Sequence, residues 1–228
     1  MTSKLAAWTT DEAASYFREL CPGLHVGDKE AASREASKFD GAELRARIHA
    51  EGFVSVPQVV EDDAVIGQLA RAASELEAGG WPASFLLLFD EAWAVIEAVR
   101  PLLEAAAGKE NRCNGDILAW RIDPSRGQAG FTPHRDRQPE DAAASFRENG
   151  DPKYITCWLA LSDATPDNSC LYVIPRHADP GYASGDLEGT DPLWRALPTK
   201  HAYQQIRALP LKVRTPQHER PRPRHGRD

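Results

Sequence analysis

The pattern of the chain changes at Gly108, and that change limits the architectures open to it. Upstream, apolar residues recur at the intervals of amphipathic helices. In "TTDEAASYFREL", Thr9 and Glu12 stand at capping-box spacing, and Ala13, Tyr16, Phe17 and Leu20 follow on one helical face. In "DGAELRARIHAEGF", Leu44 and Ile48 form a short stripe and Gly52 sits where a helix stops. "FVSVP" then alternates apolar and polar residues before a proline, which predicts a strand. Asp62 and Asp63 are placed to cap a helix carrying Val65, Leu69, Ala72 and Leu76 on one face, ended by Gly79 and Gly80. "EAWAVIEAVRPLLEAAAG" predicts a further helix, kinked or divided at Pro101.

Downstream, the runs shorten and become β-branched and aromatic. Residues 115–123 ("GDILAWRID"), 153–161 ("KYITCWLAL") and 169–175 ("SCLYVIP") read as strands, separated by Gly, Pro, Asn and Asp. Helices first and strands afterwards predict an α+β fold, in which helices support one face of a sandwich or barrel. A chain of 228 residues fits one such domain. The expected division is a helical part over 1–110 and a β-rich core over 111–212, followed by the segment 213–228. That last segment is dominated by Arg, Pro and His, and its single aliphatic residue is Val213. It buries too little apolar surface to offset its ordering entropy, so it is expected to be a disordered basic tail.

Charge and cysteine usage narrow the function classes. A net charge of -7 and a pI near 5.5 argue against nucleic acid or an anionic membrane as partner, because both require a clustered positive field. The most apolar run, "SFLLLF" at 84–89, is far too short to span a bilayer, and the N-terminus has no signal-peptide core. A soluble cytoplasmic protein is expected. Cys21, Cys113, Cys157 and Cys170 lie far apart with no CxxC pair, which favours free thiols over a disulfide framework or a zinc site.

The chemistry-bearing stretch is "FTPHRDRQPED" at 131–141. On a strand, His134 and Asp136 would share a face, so that one imidazole nitrogen and one carboxylate oxygen can reach a single ion. A second histidine would complete a facial triad with positions left open for other ligands. The pair alone is weak evidence in a chain with seven histidines. Its context is "YITCWLALSDATPDNSCLYVIPRHADPGY", which runs strand, polar turn with Asp167 and Asn168, strand, and then Ile-Pro-Arg-His.

"HRD", then "WLALSDATPDNSCLYVIPRH", with "EGFVSVPQVV" upstream, resembles the phytanoyl-CoA dioxygenase-like branch of the Fe(II)- and 2-oxoglutarate-dependent oxygenases. The resemblance covers roughly residues 40–212 and is most specific over 154–177. It implies a double-stranded β-helix, or jelly roll, with helices outside one sheet. It further implies Fe(II) as cofactor, 2-oxoglutarate and O2 as cosubstrates, and a small organic molecule as substrate. His134 and Asp136 match the first two iron ligands of the family. Trp158 falls where the family often carries a tryptophan beside the 2-oxoglutarate pocket; the alternative is a core aromatic of a sheet. His177 lies in a structural turn and is not a ligand in the family.

The family also has a distal histidine on a late strand and, beyond it, an arginine that clamps the far carboxylate of 2-oxoglutarate. Residues 203–212 ("YQQIRALPLK") look like the strand leading there, and the resemblance stops at Val213. His218 and His225 are the remaining candidates for the third ligand, with Arg214, Arg220 or Arg222 near the cosubstrate. The last strands are therefore expected to be missing, through truncation or a shifted reading frame. Two other readings stay open: a non-catalytic relative that keeps the fold without a complete iron site, and a cupin-type binding module. Residues 138–152 read equally as a substrate lid or as a plain surface loop.

Overall fold

The computed structural model describes residues 8–28, 39–60, 62–108, 111, 114–134, 136, 147–148, 152–179, 182 and 199–213. The first three α-helices among the described residues begin where side chains satisfy the orphan amides of a first turn. Helix α1 (Thr10–Leu20) starts with a complete capping box: the Glu12 amide donates to Thr9 Oγ1 over 3.3 Å, and the Thr9 amide donates to Glu12 Oε2 over 2.8 Å. Helix α2 (Gly41–Glu51) is capped by Asp40 Oδ1, which accepts from the amides of Ala42 and Glu43. It stops at Gly52, whose φ of 82° is left-handed, and a Cβ there would meet Arg176 at 3.2 Å. Asp62 caps helix α3 (Asp63–Ala78) in the same way through Ala64 and Val65.

The run 84–89, apolar from Phe85 onward, forms most of a 3-10 helix over Ala83–Leu88. Helix α4 (Asp90–Ala107) follows and passes through Pro101 as one element, so the expected division at that proline is not found. The imide costs a single intrahelical hydrogen bond, and both turns flanking it bury side chains, among them Ala98, Val99, Leu102 and Ala106.

These helices enclose the core. Phe17, Leu44, Leu69, Leu76, Phe89 and Val95 are all buried in one cluster. An aromatic group joins α1 to the 3-10 segment: Phe17 packs edge-on to Trp81 with ring centroids 5.2 Å apart, Trp81 stacks near Phe85 at 5.0 Å, and Trp81 Nε1 donates to Tyr16 Oη. The one buried charged residue among those described, Glu91, is paired as burial demands. Its carboxylate accepts from the His25 amide over 3.0 Å and lies 2.5 Å from His25 Nδ1.

The second half contributes one small antiparallel sheet. Strand β1 (Leu171–Val173) pairs with β2 (Arg207–Leu209), Leu171 opposite Leu209 and Val173 opposite Arg207. A short helix, α5 (Lys200–Gln204), precedes β2, so the start of the run expected as a strand at 203–212 is helical instead. The Thr199 hydroxyl explains this locally, since it accepts from the Ala202 amide as an N-cap. An isolated bridge joins Ala164 to Leu211 beyond the sheet. The sheet hangs from the end of α2: Arg207 Nη1 meets Glu51 Oε2 at 3.0 Å, and Arg176 Nη1 donates to the His49 carbonyl at 2.8 Å.

Residues 53–57, 115–123 and 153–161 carry strand-like sequence but no ladder among the described residues. A strand is a property of a pair, and pattern alone does not supply the partner. The alternation itself survives over 118–121. Leu118 and Trp120 are exposed, whereas Ala119 packs against the helical core and Arg121 reaches Ser74 Oγ and Glu77 on α3. No helix among the described residues is long and apolar enough to cross a membrane. Cys21, Cys157 and Cys170 are free thiols; Cys113, most of the 138–152 loop and the tail from 214 onward lie outside the described residues.

Candidate metal site

The site is built on a tight reversal of the chain. Asp123 accepts from Ser125 and opens a 3-10 turn over Pro124–Arg126, and Gly127 closes it with a φ of 70°. Gln128 ties the two arms together: its side-chain oxygen accepts from the Asp123 amide over 2.8 Å, and its own amide donates to the Asp123 carbonyl over 3.3 Å. The returning arm lies against the outgoing one, with Gly130 beside Ile122 and Phe131 edge-on to Trp120 at 4.8 Å. Arg121 fastens the outgoing arm to α3 through a 2.8 Å contact with Glu77.

His134 and Asp136 stand at the end of the returning arm. They are not on an assigned strand, but their side chains meet: His134 Nε2 is 3.0 Å from Asp136 Oδ1. His134 Nδ1 is 2.6 Å from the Thr132 carbonyl. A carbonyl oxygen only accepts, so Nδ1 carries the proton and Nε2 is the atom turned toward the carboxylate. This is the arrangement in which metal-binding histidines are held, with one ring nitrogen anchored to the backbone and the other left to the ion. Phe131 braces the same imidazole edge-on, with centroids 5.9 Å apart.

The pair fits a divalent metal in both donor type and spacing. Two donors bound at about 2.0–2.2 Å and at a right angle to one another lie roughly 3 Å apart. Nε2 and Oδ1 already stand at 3.0 Å, so one ion can take both without a backbone shift. Both side chains are close to half exposed, at 44% and 48%, which leaves the remaining coordination positions open to small molecules. No group of three or more His, Cys, Asp or Glu side chains placed to hold a metal occurs among the described residues. The third-ligand candidates His218 and His225, and the arginines beyond Val213, lie outside them.

Trp158 is exposed and makes no ring contact with His134 among the described residues. His177 sits in a 3-10 turn over Arg176–Ala178 that packs on α2. Ahead of it, Asn168 organises the polar turn, its Oδ1 accepting from the Thr165 amide and its Nδ2 donating to the Asp163 carbonyl. Asp163 then accepts from the Val213 amide, so Val213 is held against the domain by this bond and by packing on the core.

The sequence reading missed Trp120, Phe131 and the Thr132 carbonyl. The signal that would have found them is "DPSRG" at 123–127, a turn that folds 118–122 back onto 130–134.

No curated protein and no solved structure matches this chain. A family model does match, over residues 94–181, and it is that of phytanoyl-CoA dioxygenase (PhyH). The matched span is shorter than the resemblance read from the sequence, which ran from about residue 40 to 212, and it contains His134, Asp136, Trp158 and His177. Members of this family are oxygenase-type enzymes that generally use Fe(II) and 2-oxoglutarate. Across residues 94–181, which begin within α4 and include His177, the chain is similar to the phytanoyl-CoA dioxygenase (PhyH) family.

Proposed function

We propose that the chain is an Fe(II)- and 2-oxoglutarate-dependent oxygenase that oxidises, most simply by hydroxylation, a small organic substrate. The observation that carries this reading is the pairing of His134 Nε2 with Asp136 Oδ1 at 3.0 Å, with Nδ1 anchored, inside the family-matched segment. Iron bound there with 2-oxoglutarate and O2 supplies oxidative chemistry: one oxygen atom goes into succinate, released with CO2, and the other into the substrate.

The residues of this chain do the holding and the orienting. His134 and Asp136 fix two adjacent positions on the ion and leave the rest of its shell facing solvent and substrate. The Thr132 carbonyl and the Phe131 ring restrain the imidazole, so that Nε2 has one direction in which to donate. In this proposal Trp158 lines the cosubstrate pocket, and the third protein ligand comes from His218 or His225. The jelly roll implied by the family remains part of the proposal; β1 and β2 would be two neighbouring strands of it.

A second reading, a relative that keeps the fold without turnover, draws on the same geometry. With both ring nitrogens protonated, His134 would donate to the Thr132 carbonyl and to Asp136, and the pair would then need no ion. Succinate formation by the full chain, supplied with Fe(II), 2-oxoglutarate and O2, separates the two. The oxygenase reading predicts succinate, and a loss in His134→Ala larger than the roughly 10- to 100-fold cost of disturbing an outer partner of a metal ligand. Equal turnover in both proteins would reject His134 as a ligand.

A further inference from the structure

Trp120 and Phe131 are large apolar side chains that the helical core does not use. They are 59% and 62% exposed although they touch each other edge-on at 4.8 Å. Scattered exposed apolar residues need no explanation, but a contiguous aromatic pair in a fixed geometry does. This pair continues into the proposed metal site: Phe131 meets the His134 imidazole at 5.9 Å and 63°, making a run of three rings that ends on the ligand. The turn closed by Asp123 and Gln128 holds both aromatic backbones, and Gly130 beside Ile122 lets the arms approach.

The charges next to the pair are taken up elsewhere. Arg121 is bound to Glu77 and Ser74 and lies 3.8 Å from Asp123, whose carboxylate also accepts from Ser125. The wall is therefore apolar and aromatic, with no free ion from its own two arms among the described residues. A group lying on Phe131 would be one ring contact away from His134, and so beside the proposed metal position.

We infer that Trp120 and Phe131 form the wall of a substrate subsite that takes a neutral, planar, apolar group beside the metal pair. The inference rests on the oxygenase reading for its location, and on the rings themselves for its chemistry. Offset and edge-on ring contacts add about 0.5–1.5 kcal/mol each beyond area burial, so a flat unsaturated ring is favoured over an aliphatic group of equal size. An anionic group would gain nothing from the ring faces and would lose hydration on them.

Indole is a suitable neutral planar probe, read by saturation-transfer NMR on the full chain, with tert-butanol as the non-planar control. Binding of indole in preference to tert-butanol is expected, and Trp120→Ala or Phe131→Ala should weaken it by about three- to tenfold. Both side chains are exposed, so thermal midpoints near the wild-type value will show that the variants fold. Trp93→Ala, which removes an exposed tryptophan on α4 remote in sequence from the wall, should leave indole binding as it is. Replacing Mg(II) by Mn(II) should then speed relaxation of the bound indole protons in wild type. Indole binding unchanged in both wall variants would overturn the proposal. So would a chain that binds Mn(II) and indole together without enhanced relaxation. A chain that binds no Mn(II) refutes the oxygenase reading and the placement of the wall beside a metal, while the wall variants still decide the ring chemistry.

Discussion

The two halves of the molecule treat their apolar side chains in opposite ways. Between residues 8 and 108 most of the large ones turn inward, Leu88 and Trp93 excepted: Phe17, Leu76 and Phe89 are each at most 2% exposed, and the aromatic group around Trp81 is closed on itself. Between 114 and 172 many turn outward, among them Leu118, Trp120, Phe131, Tyr154, Trp158 and Tyr172. The residues that tie the second half down are small or polar: Ala119 on the core, Arg121 on Glu77, Arg176 on the His49 carbonyl. The helical layer thus holds most of the buried apolar surface, and the segments laid over it carry the exposed aromatic residues and the proposed site. That division fits the general rule that binding residues stand on connecting segments positioned by a rigid scaffold.

The sharpest way to break this comparison is to truncate one leucine from each half. Leu76→Ala removes a fully buried side chain from α3 and should cost about 2–5 kcal/mol in chemical denaturation. Leu118→Ala, at a position 66% exposed, should stay within roughly 0.5 kcal/mol of wild type. Comparable losses from the two would mean that the second half has a core of its own.

A smaller effect sharpens the account of the helical layer. His25 has its pKa raised, first by its hydrogen bond to Glu91, then by the charge of Glu91 and by Asp28 and Asp90, with burial opposing. A histidine whose folded pKa lies above its unfolded one stabilises fully below the unfolded value, about 6.5, and loses that contribution as pH rises through the folded value. The same pair joins the segment after α1 to the first turn of α4, where the Asp90 amide also donates to the His25 carbonyl. The melting temperature should therefore fall by about one to a few degrees as pH rises past the His25 titration, and the fall should be smaller in Glu91→Gln. An identical pH profile in the two proteins would show that the pair does not act as a clasp.

What the sequence made legible was local. The capping box of Thr9 and Glu12, the cap at Asp62 and the stop at Gly52 were all readable, because each needs only neighbours a few residues away. Of the two outcomes expected at Pro101, a kink or a division, the division does not occur, because burial on both sides of the proline outweighs one lost hydrogen bond. The strand-like runs at 115–123 and 153–161 were recognisable as β-prone, but their partners are decided by distant chain, which no local pattern encodes. At the site, His134 and Asp136 were legible as a spacing, and their side chains meet at 3.0 Å. Trp120 and Phe131 were not, since their meeting depends on how the 123–128 turn folds.

The central claim is that His134 and Asp136 together hold a divalent metal, and Mn(II) binding followed by electron paramagnetic resonance tests it directly. The account predicts that the full chain binds Mn(II), that 2-oxoglutarate tightens the binding, and that His134→Ala and Asp136→Ala each abolish it. Binding that persists unchanged in both variants would contradict the account, because the 3.0 Å pairing of Nε2 and Oδ1 would then serve only itself.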